Sequence, residues 1–371
     1  MLKPAARGEL NIHLDCRVAT PHFPGIGRYV ANLAAALPPL LGPGERLIAL
    51  RNPGQPALAS RVLDVAGSPF SLSQQWQVPH SLAGAAGVYH SAYYVMPYRT
   101  PLPAILTVYD LIPLAGPRPP RILFAALLRL ALASSRAVIA ISEATRRELT
   151  ARRRIAPGRV RVIPLAAGRE FSPRPEPEFA RVRARYGLPE RYALYVGINK
   201  PHKNLARLVE AWGKALPTAA SRRANALVIA GPWDPRYPEA KRAASRLDLV
   251  ETVRFLGHVQ DAELPALYSG AAMVVCPSLA EGFGLPVLEA MSCGAPVACS
   301  DRASLPEVAG GAALLFDPLS TSAIAAAMSE LLERPALAKD LAARGFERSR
   351  SFTWEKTAAA TLEVYRSVAV S

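Results

Sequence analysis

Short apolar runs rich in Val, Ile and Leu recur along the chain, separated by longer stretches in which apolar residues return every three or four positions. In the first half "LNIHLDC", "RLIAL", "GVYHSA", "AILTVYD" and "AVIAISE" read as strands. "GIGRYVANLAAALPPL" reads as a glycine turn running into a helix, and "EATRRELTARR" as a further helix. Strands alternating with helical patterns imply a parallel sheet covered on both faces.

After "VRVIPLAAG" the segment from about Arg169 to Arg191 is rich in proline and charge and reads as a linker with an entry helix. The alternation then restarts with "YALYVGI", a helix from Asn204, "NALVIAG", "VRFLGHV", "AAMVVCPS", "PVACSD" and "AALLFDP". The expectation is two doubly wound Rossmann-like domains, 1–168 and 169–352, facing each other across a cleft. A final helix, about 353–371, crosses back to the first. Ligands of such sheets bind outside the carboxyl ends of the strands, so the motifs should sit just after strands.

The 371 residues suit two cores better than one. The most apolar stretch, "RILFAALLRLALASSRAVIAIS", is interrupted by Arg129 and Arg136 and cannot give the roughly 20 uninterrupted apolar residues that a membrane span needs. The start "MLKPAARGELNIHLD" lacks a secretory pattern, so a cytoplasmic location is expected. Cys16, Cys276, Cys293 and Cys299 form no CxxC pair and read as buried thiols. Of the net charge of +15, residues 1–165 carry +12, with 19 Lys and Arg against 7 Asp and Glu. That imbalance suits an anionic surface such as a lipid headgroup layer, an acidic acceptor or nucleic acid, or it reflects an Arg-rich composition with no partner.

The stretch richest in chemistry is "AEGFGLPVLEAMSCGAPV", residues 280–297. A buried strand leads into a glycine loop, and Pro286 suits the first turn of a helix, where its missing N–H is no loss. The amides of Phe283, Gly284 and Leu285 then lie at a positive helix end that can hold a phosphate. Glu281 precedes the helix and Glu289 lies about one turn inside it. A carboxylate accepts paired hydrogen bonds from a diol, so a diphosphate with a sugar at each end would use all three elements. That describes a nucleotide sugar.

"SLAEGFGLPVLEAMSCGAPV" resembles the donor-site signature of glycosyltransferase family 4, retaining enzymes of GT-B fold. "PGIGRYVANL", "VYHSAYYVMPYRTPLPAILTVYDLIPL", "AVIAISEATRREL", "YALYVGINKPHKNL", "VRFLGHV" and "FTW" follow in that family's order, so the resemblance covers nearly the whole chain. It implies that Glu289 holds the ribose, that Glu281 holds the transferred sugar, and that the amides of Phe283, Gly284 and Leu285 meet sugar and diphosphate. Lys203 in "GINKPHKN" matches a lysine directed at the diphosphate, with Gly197 and Asn199 beside it. Where relatives carry an arginine after that glycine, this chain has Ile198 and Asn199, so no second cation is expected from the match. Gly25 and Gly27 resemble a glycine loop approaching the phosphates, while Arg28 reads equally as a phosphate contact or a surface residue. Gly257, His258 and Val259 resemble the segment that reads the base through backbone groups.

Family members often read His-Asp where this chain reads Tyr109-Asp110. Tyr109 can still donate a hydrogen bond and Asp110 can orient the acceptor, so both join Glu281 as catalytic candidates. His90 reads as a structural histidine.

The resemblance implies a retaining, metal-independent hexosyltransferase acting in cell-surface polysaccharide synthesis, with no cofactor beyond its substrate. GDP-mannose is the first donor expected and a UDP- or dTDP-sugar the next. The acceptor would be a saccharide or lipid-linked saccharide, with peripheral contact between the basic first domain and an anionic membrane. A nucleotide-sugar epimerase of the same fold is the alternative among enzymes. A basic nucleic-acid-binding protein is the alternative outside them, and it lacks a recognition-helix or aromatic RNA-binding signature.

Overall fold

A computed structural model describes residues 9–20, 24–153, 155–216, 218 and 224–370. Pro21, His22 and Phe23, which open the expected glycine loop, lie outside the described residues. The chain divides into two compact units, residues 1–165 with 353–371, and residues 166–352.

The first unit holds β1 (Leu10–Asp15), α1 (Pro24–Ala36), β2 (Glu45–Arg51), β3 (Arg61–Asp64), α2 (Gln74–Ser81), β4 (Val88–Ser91), β5 (Ala104–Val108), α3 (Pro120–Ser134), β6 (Ser135–Ala140), α4 (Glu143–Arg153) and β7 (Val160–Val162). Its seven strands run in the order β3-β2-β1-β4-β5-β6-β7, every pair parallel. β4 and β5 are buried at every position, as strands covered on both faces must be.

The second unit holds α5 (Glu176–Arg185), β8 (Arg191–Val196), α6 (Leu205–Ala215), β9 (Asn225–Ala230), α7 (Glu239–Arg246), β10 (Val253–Gly257), α8 (Leu264–Ser269), β11 (Met273–Cys276), α9 (Leu285–Ser292), β12 (Val297–Ser300), α10 (Leu305–Ala309), β13 (Leu314–Phe316), α11 (Thr321–Glu333) and α12 (Pro335–Ser349). Its six strands run β10-β9-β8-β11-β12-β13, again all parallel. The spacing of Leu205, Leu208, Val209 and Trp212 gives α6 one apolar stripe, and all four are buried in the core. Each such side chain contributes roughly 1.5–3 kcal/mol.

In both sheets the strand order reverses direction once, between β1 and β4 and between β8 and β11. Such a switch point opens a crevice at the carboxyl ends of its two strands. Two parallel α/β units of this topology make the GT-B fold.

The last helix, α13 (Trp354–Ala369), is part of the first unit. Thr353 caps it by accepting the Lys356 amide at 3.2 Å. Its buried stripe includes Trp354, Ala358, Leu362 and Tyr365. Arg366 pairs with Glu45 of β2 through Nε and one Nη at 2.7 and 2.8 Å. Among the described residues no helix is long and apolar enough to cross a membrane.

Candidate functional site

The second unit assembles most of its candidates at its own switch point. β8 ends at Val196 and the chain continues through Gly197 to a single turn at Pro201–Lys203. Gly197 has φ 149°, and a β-carbon on Gly231 would lie 2.4 Å from the Gly197 carbonyl oxygen, so the ends of β8 and β9 approach as only two glycines allow. Asn204 follows in the left-handed region with φ 62°, its amide donating to the carbonyls of Pro277 and Pro318 at 3.1 and 2.8 Å. This anchors the turn beside the end of β11.

Lys203 Nζ consequently meets Glu281 Oε1 at 2.7 Å, the side chains being only 16% and 10% exposed. Ser278 Oγ donates to the same oxygen at 2.7 Å, and Ser304 Oγ donates to the Glu281 carbonyl at 3.0 Å. Burial pushes the Glu281 carboxyl up, but the Lys203 charge and the hydrogen bonds from Lys203 and Ser278 outweigh it. The carboxyl therefore sits below the usual carboxylate range. The neighbouring His202 is held down to about 4, first by burial and then by the Lys203 charge.

Three residues on, Gly284 caps α9 with φ 105°, and a β-carbon there would meet Leu305 Cδ2 at 2.6 Å. The amides of Phe283, Gly284 and Leu285 come before the first carbonyl-bonded amide of α9, that of Val287, and a helix start of this kind can receive an anion. The Phe283 ring is buried, edge-on to Phe352 at 5.8 Å, so Phe283 can offer a ligand its backbone rather than its ring. Glu289 lies in the second turn of α9, 4% exposed, and accepts a hydrogen bond from Tyr268 at 3.1 Å. One carboxylate thus stands before the helix start, braced by a cation, and the other after it, braced by a phenol.

The structure corrects one member of this set. The Asn199 side chain is taken up by backbone groups of its own unit rather than left open for a ligand. Its amide nitrogen donates to the carbonyls of Asp234 and Tyr237 at 2.8 and 2.7 Å, and its oxygen accepts the Asp234 amide at 2.6 Å. It is a clamp on the loop after β9, and its hydrogen-bonding capacity is largely committed there. At the end of β10, Gly257 has φ 69° with open space beside it, His258 is exposed and Val259 is turned into the core.

The first unit carries the remaining candidates. Gly25 and Gly27 are not in a turn before the helix but in the first turn of α1, which begins at Pro24. A proline at the helix start and the free amides of its first turn explain the earlier onset. Asp110, just past β5, accepts the Ile112 amide at 2.9 Å and so caps the turn that follows it. Tyr109 is packed edge-on against Tyr29 at 5.5 Å, and its buried hydroxyl has no hydrogen-bond partner among the described residues. Burial pushes this phenol far above its ordinary range, so it can donate a proton in a hydrogen bond but not lose it near neutral pH. His90 is fully satisfied, Nδ1 with Tyr365 at 2.6 Å and Nε2 with Thr107 at 2.8 Å, and burial holds it down to about 3. It is a structural tie between β4 and α13.

Sequence reasoning passed over Ser278 and Tyr268, the two hydroxyls that fix Glu281 and Glu289. It also passed over the buried Asp15–Arg17 pair at the end of β1. There Arg17 donates to both carboxylate oxygens at 2.9 and 2.6 Å, and Tyr89 adds a bond at 2.7 Å.

Two family models match the chain: "Glycosyltransferase Family 4" over residues 24–167 and "Glycosyl transferases group 1" over residues 179–348. "O-antigen chain mannosyltransferase B" of Escherichia coli is 32% identical over 75% of this chain and 74% of its own. The chain belongs to glycosyltransferase family 4. A second relative is the "Serotype-specific mannosyltransferase WbdA" of Escherichia coli. It shares 34% identity over 61% of this family-4 chain, which spans only 28% of that longer protein. Among solved structures, Anabaena Alr3699/HepE in complex with UDP and glucose superposes with a TM-score of 0.78 at 18% identity, covering 97% of this chain and 100% of the other. Glycosyl transfer is therefore the activity of this chain, and neither epimerisation nor nucleic-acid binding accounts for the match.

Proposed function

We propose that this chain transfers a mannosyl unit from a nucleotide sugar, GDP-mannose first and a UDP- or dTDP-sugar next, to a hydroxyl of a saccharide or lipid-linked saccharide. The transfer retains the anomeric configuration and uses no metal, and its product belongs to a cell-surface polysaccharide. The Lys203–Glu281 ion pair at the switch point, beside the start of α9, carries this reading. It joins the cation for a leaving diphosphate to a carboxylate for a sugar hydroxyl. Two relatives named as mannosyltransferases support the choice of sugar. The UDP and glucose in the Alr3699/HepE complex support a nucleotide donor.

In this reading the bond from the anomeric carbon to the diphosphate oxygen breaks as the acceptor oxygen bonds that carbon on the same face, and the acceptor proton passes to the departing phosphate. Lys203 and the amides of Phe283, Gly284 and Leu285 stabilise the charge that grows on the leaving group. Glu281, with Oε1 taken by Lys203 and Ser278, offers Oε2 to the sugar and fixes its position. Glu289 holds the ribose, and Gly257, His258 and Val259 flank the base.

The test is a thermal-shift panel of nucleoside diphosphates and nucleotide sugars, followed by transfer assays on two variants. Selective stabilisation by one nucleotide names the donor. Glu281→Gln should cut kcat with little change in nucleotide affinity, and Glu289→Ala should weaken nucleotide binding. Stabilisation by none of the panel, or unchanged nucleotide affinity in Glu289→Ala, would defeat the proposal.

A further inference from the structure

Apart from any candidate site, the first unit presents a surface that a water-soluble face does not explain. Leu72, just before α2, is 82% exposed and Trp76, inside it, 61%. On α3, Ile122, Leu123 and Leu130 are 58%, 61% and 48% exposed, while the opposite side of the helix buries Phe124, Leu128, Ala131 and Leu132. The side of α3 away from its core is therefore mostly apolar, with Arg129 its one exposed charge. An amphipathic helix that only had to cover a sheet would carry polar residues there.

The two segments that carry these clusters pack together through the core side of α3. Phe70 packs against Tyr93 at 5.5 Å, Tyr93 against Tyr94 at 4.2 Å, and Tyr94 against Phe124 of α3 at 4.7 Å. The Gln75 side chain adds two hydrogen bonds to the intervening segment, to the Met96 carbonyl at 2.8 Å and from the Tyr98 amide at 3.0 Å. A run of ring contacts thus ties the start of α2 to the buried side of α3.

Charge decides what such a face would meet. Between Asp64 and Glu143 the only acidic residue is Asp110, against five arginines. Asp110 is half-buried and caps its own turn, while Arg99, Arg118 and Arg129 are exposed in the same stretch of chain as the apolar side chains. Exposed Leu, Ile and Trp in an arginine-rich stretch with almost no carboxylate is the pattern of a surface that lies in a bilayer interface. The apolar groups enter the acyl boundary and the guanidinium groups stay at the phosphates. A protein partner would have to supply a large acidic rim around an apolar patch. An anionic bilayer supplies both at once.

We propose that the α2–α3 face of the first unit docks on the surface of an anionic phospholipid bilayer. This goes beyond the transfer reaction and rests on the first unit alone. Docking would hold the enzyme in the plane where a lipid-linked acceptor resides and restrict its search to two dimensions.

The test is sedimentation of the full chain with vesicles of phosphatidylcholine alone or with about a third phosphatidylglycerol, at low and high salt. Binding is expected on the anionic vesicles, weakened by salt because the arginines are screened. Leu72→Ser with Trp76→Ser should lower it by roughly tenfold or more, as should Ile122→Ser with Leu123→Ser. Arg118→Ser and Arg129→Ser should each lower it about fivefold at low salt. Melting temperature, and its rise with any nucleoside diphosphate that binds the wild type, serve as controls for folding and should not change.

Three outcomes would overturn the proposal. One is equal retention on both vesicle types or on neither. Another is full binding by the serine variants with loss in Arg242→Ser and Arg246→Ser of the second unit. The third is concentration-dependent dimerisation that the same serine variants abolish, which would make this face a contact between copies. Failure of the nucleotide panel would leave the vesicle result untouched, so the two proposals fail separately.

Discussion

Replacing Lys203 by Met keeps the aliphatic stem and removes the charge, leaving the Glu281 carboxylate with the Ser278 hydroxyl and, at 4.0 Å, the Cys276 thiol on that oxygen. At 2.7 Å the lost attraction is about 6 kcal/mol for an effective dielectric of about 20, before the cost of desolvating both ions is subtracted. Breaking a buried pair from one side costs about 3–5 kcal/mol. The residual exposure of 16% and 10% places this pair at the lower end, so Lys203→Met should cost about 3 kcal/mol at pH 7. Glu281→Gln strands a better-solvated ammonium and should cost about 1.5 kcal/mol. The double variant has no stranded charge and should also cost about 1.5 kcal/mol, a coupling of about 3 kcal/mol. Urea titrations at pH 7 and pH 5, read from the tryptophan fluorescence of the second unit, would measure each corner of the cycle.

The pH dependence has a definite sign. In the wild type the folded-state pKa of Glu281 is depressed. Its contribution is therefore present above the unfolded carboxylate value of about 4.3 and lost as pH falls through the folded value. Without Lys203, burial dominates and the carboxyl shifts the other way, so the variant gains relative stability as acid protonates it. The gap between wild type and Lys203→Met should narrow from pH 7 to pH 5. A coupling below about 0.5 kcal/mol, or a gap independent of pH, would refute the account of Glu281 as a carboxylate held ionised by Lys203.

Tyr268→Phe removes the hydroxyl on Glu289 and should weaken nucleotide binding by roughly two- to tenfold with kcat unchanged, measured by calorimetry and donor KM. Gly284→Ala puts a β-carbon at φ 105° against Leu305, costing about 1–2 kcal/mol and a few degrees in the melting transition of the second unit. His13, His90 and His202 are all held below the ordinary histidine range by burial, the last two at about 3 and about 4. The unfolded chain takes up protons near pH 6.5 that the folded chain refuses, so stability should fall with acid below that point, by up to about 4 kcal/mol per pH unit where all three contribute. A urea midpoint unchanged between pH 7 and pH 5 would contradict that assignment.

Much of this fold was legible because parallel strands buried on both faces read as plain apolar runs. "AILTV" and "VVC" cannot be mistaken for amphipathic helices. β3 was missed for the opposite reason: at the edge of its sheet it is mostly exposed, and "RVLD" carries no periodic signal. Glu281, Glu289 and Lys203 were legible because each lies in a local glycine, proline and lysine context that fixes the backbone around it. Ser278 was not, since nothing in its neighbours tells a hydroxyl that turns onto a carboxylate three positions on from one that faces water, and Tyr268 was not, since it reaches Glu289 across 21 positions. Asn199 stood in the right loop, but a buried amide serves whichever carbonyls surround it, and those belong to a loop about 35 positions away.

The connectivity of the two units has a consequence for how the molecule is made. Residues 166–352 are contiguous, so the second unit has its whole sequence available as soon as that stretch leaves the ribosome. The first unit is split around it. Its sheet is complete by Val162, yet Tyr365 and Trp354, which bury its remaining face, are synthesised about two hundred positions later. Until then His90 lacks one of its two partners and the surface that will receive α13 stays open. Of the two units, the one whose synthesis starts earlier is therefore the one that finishes folding last.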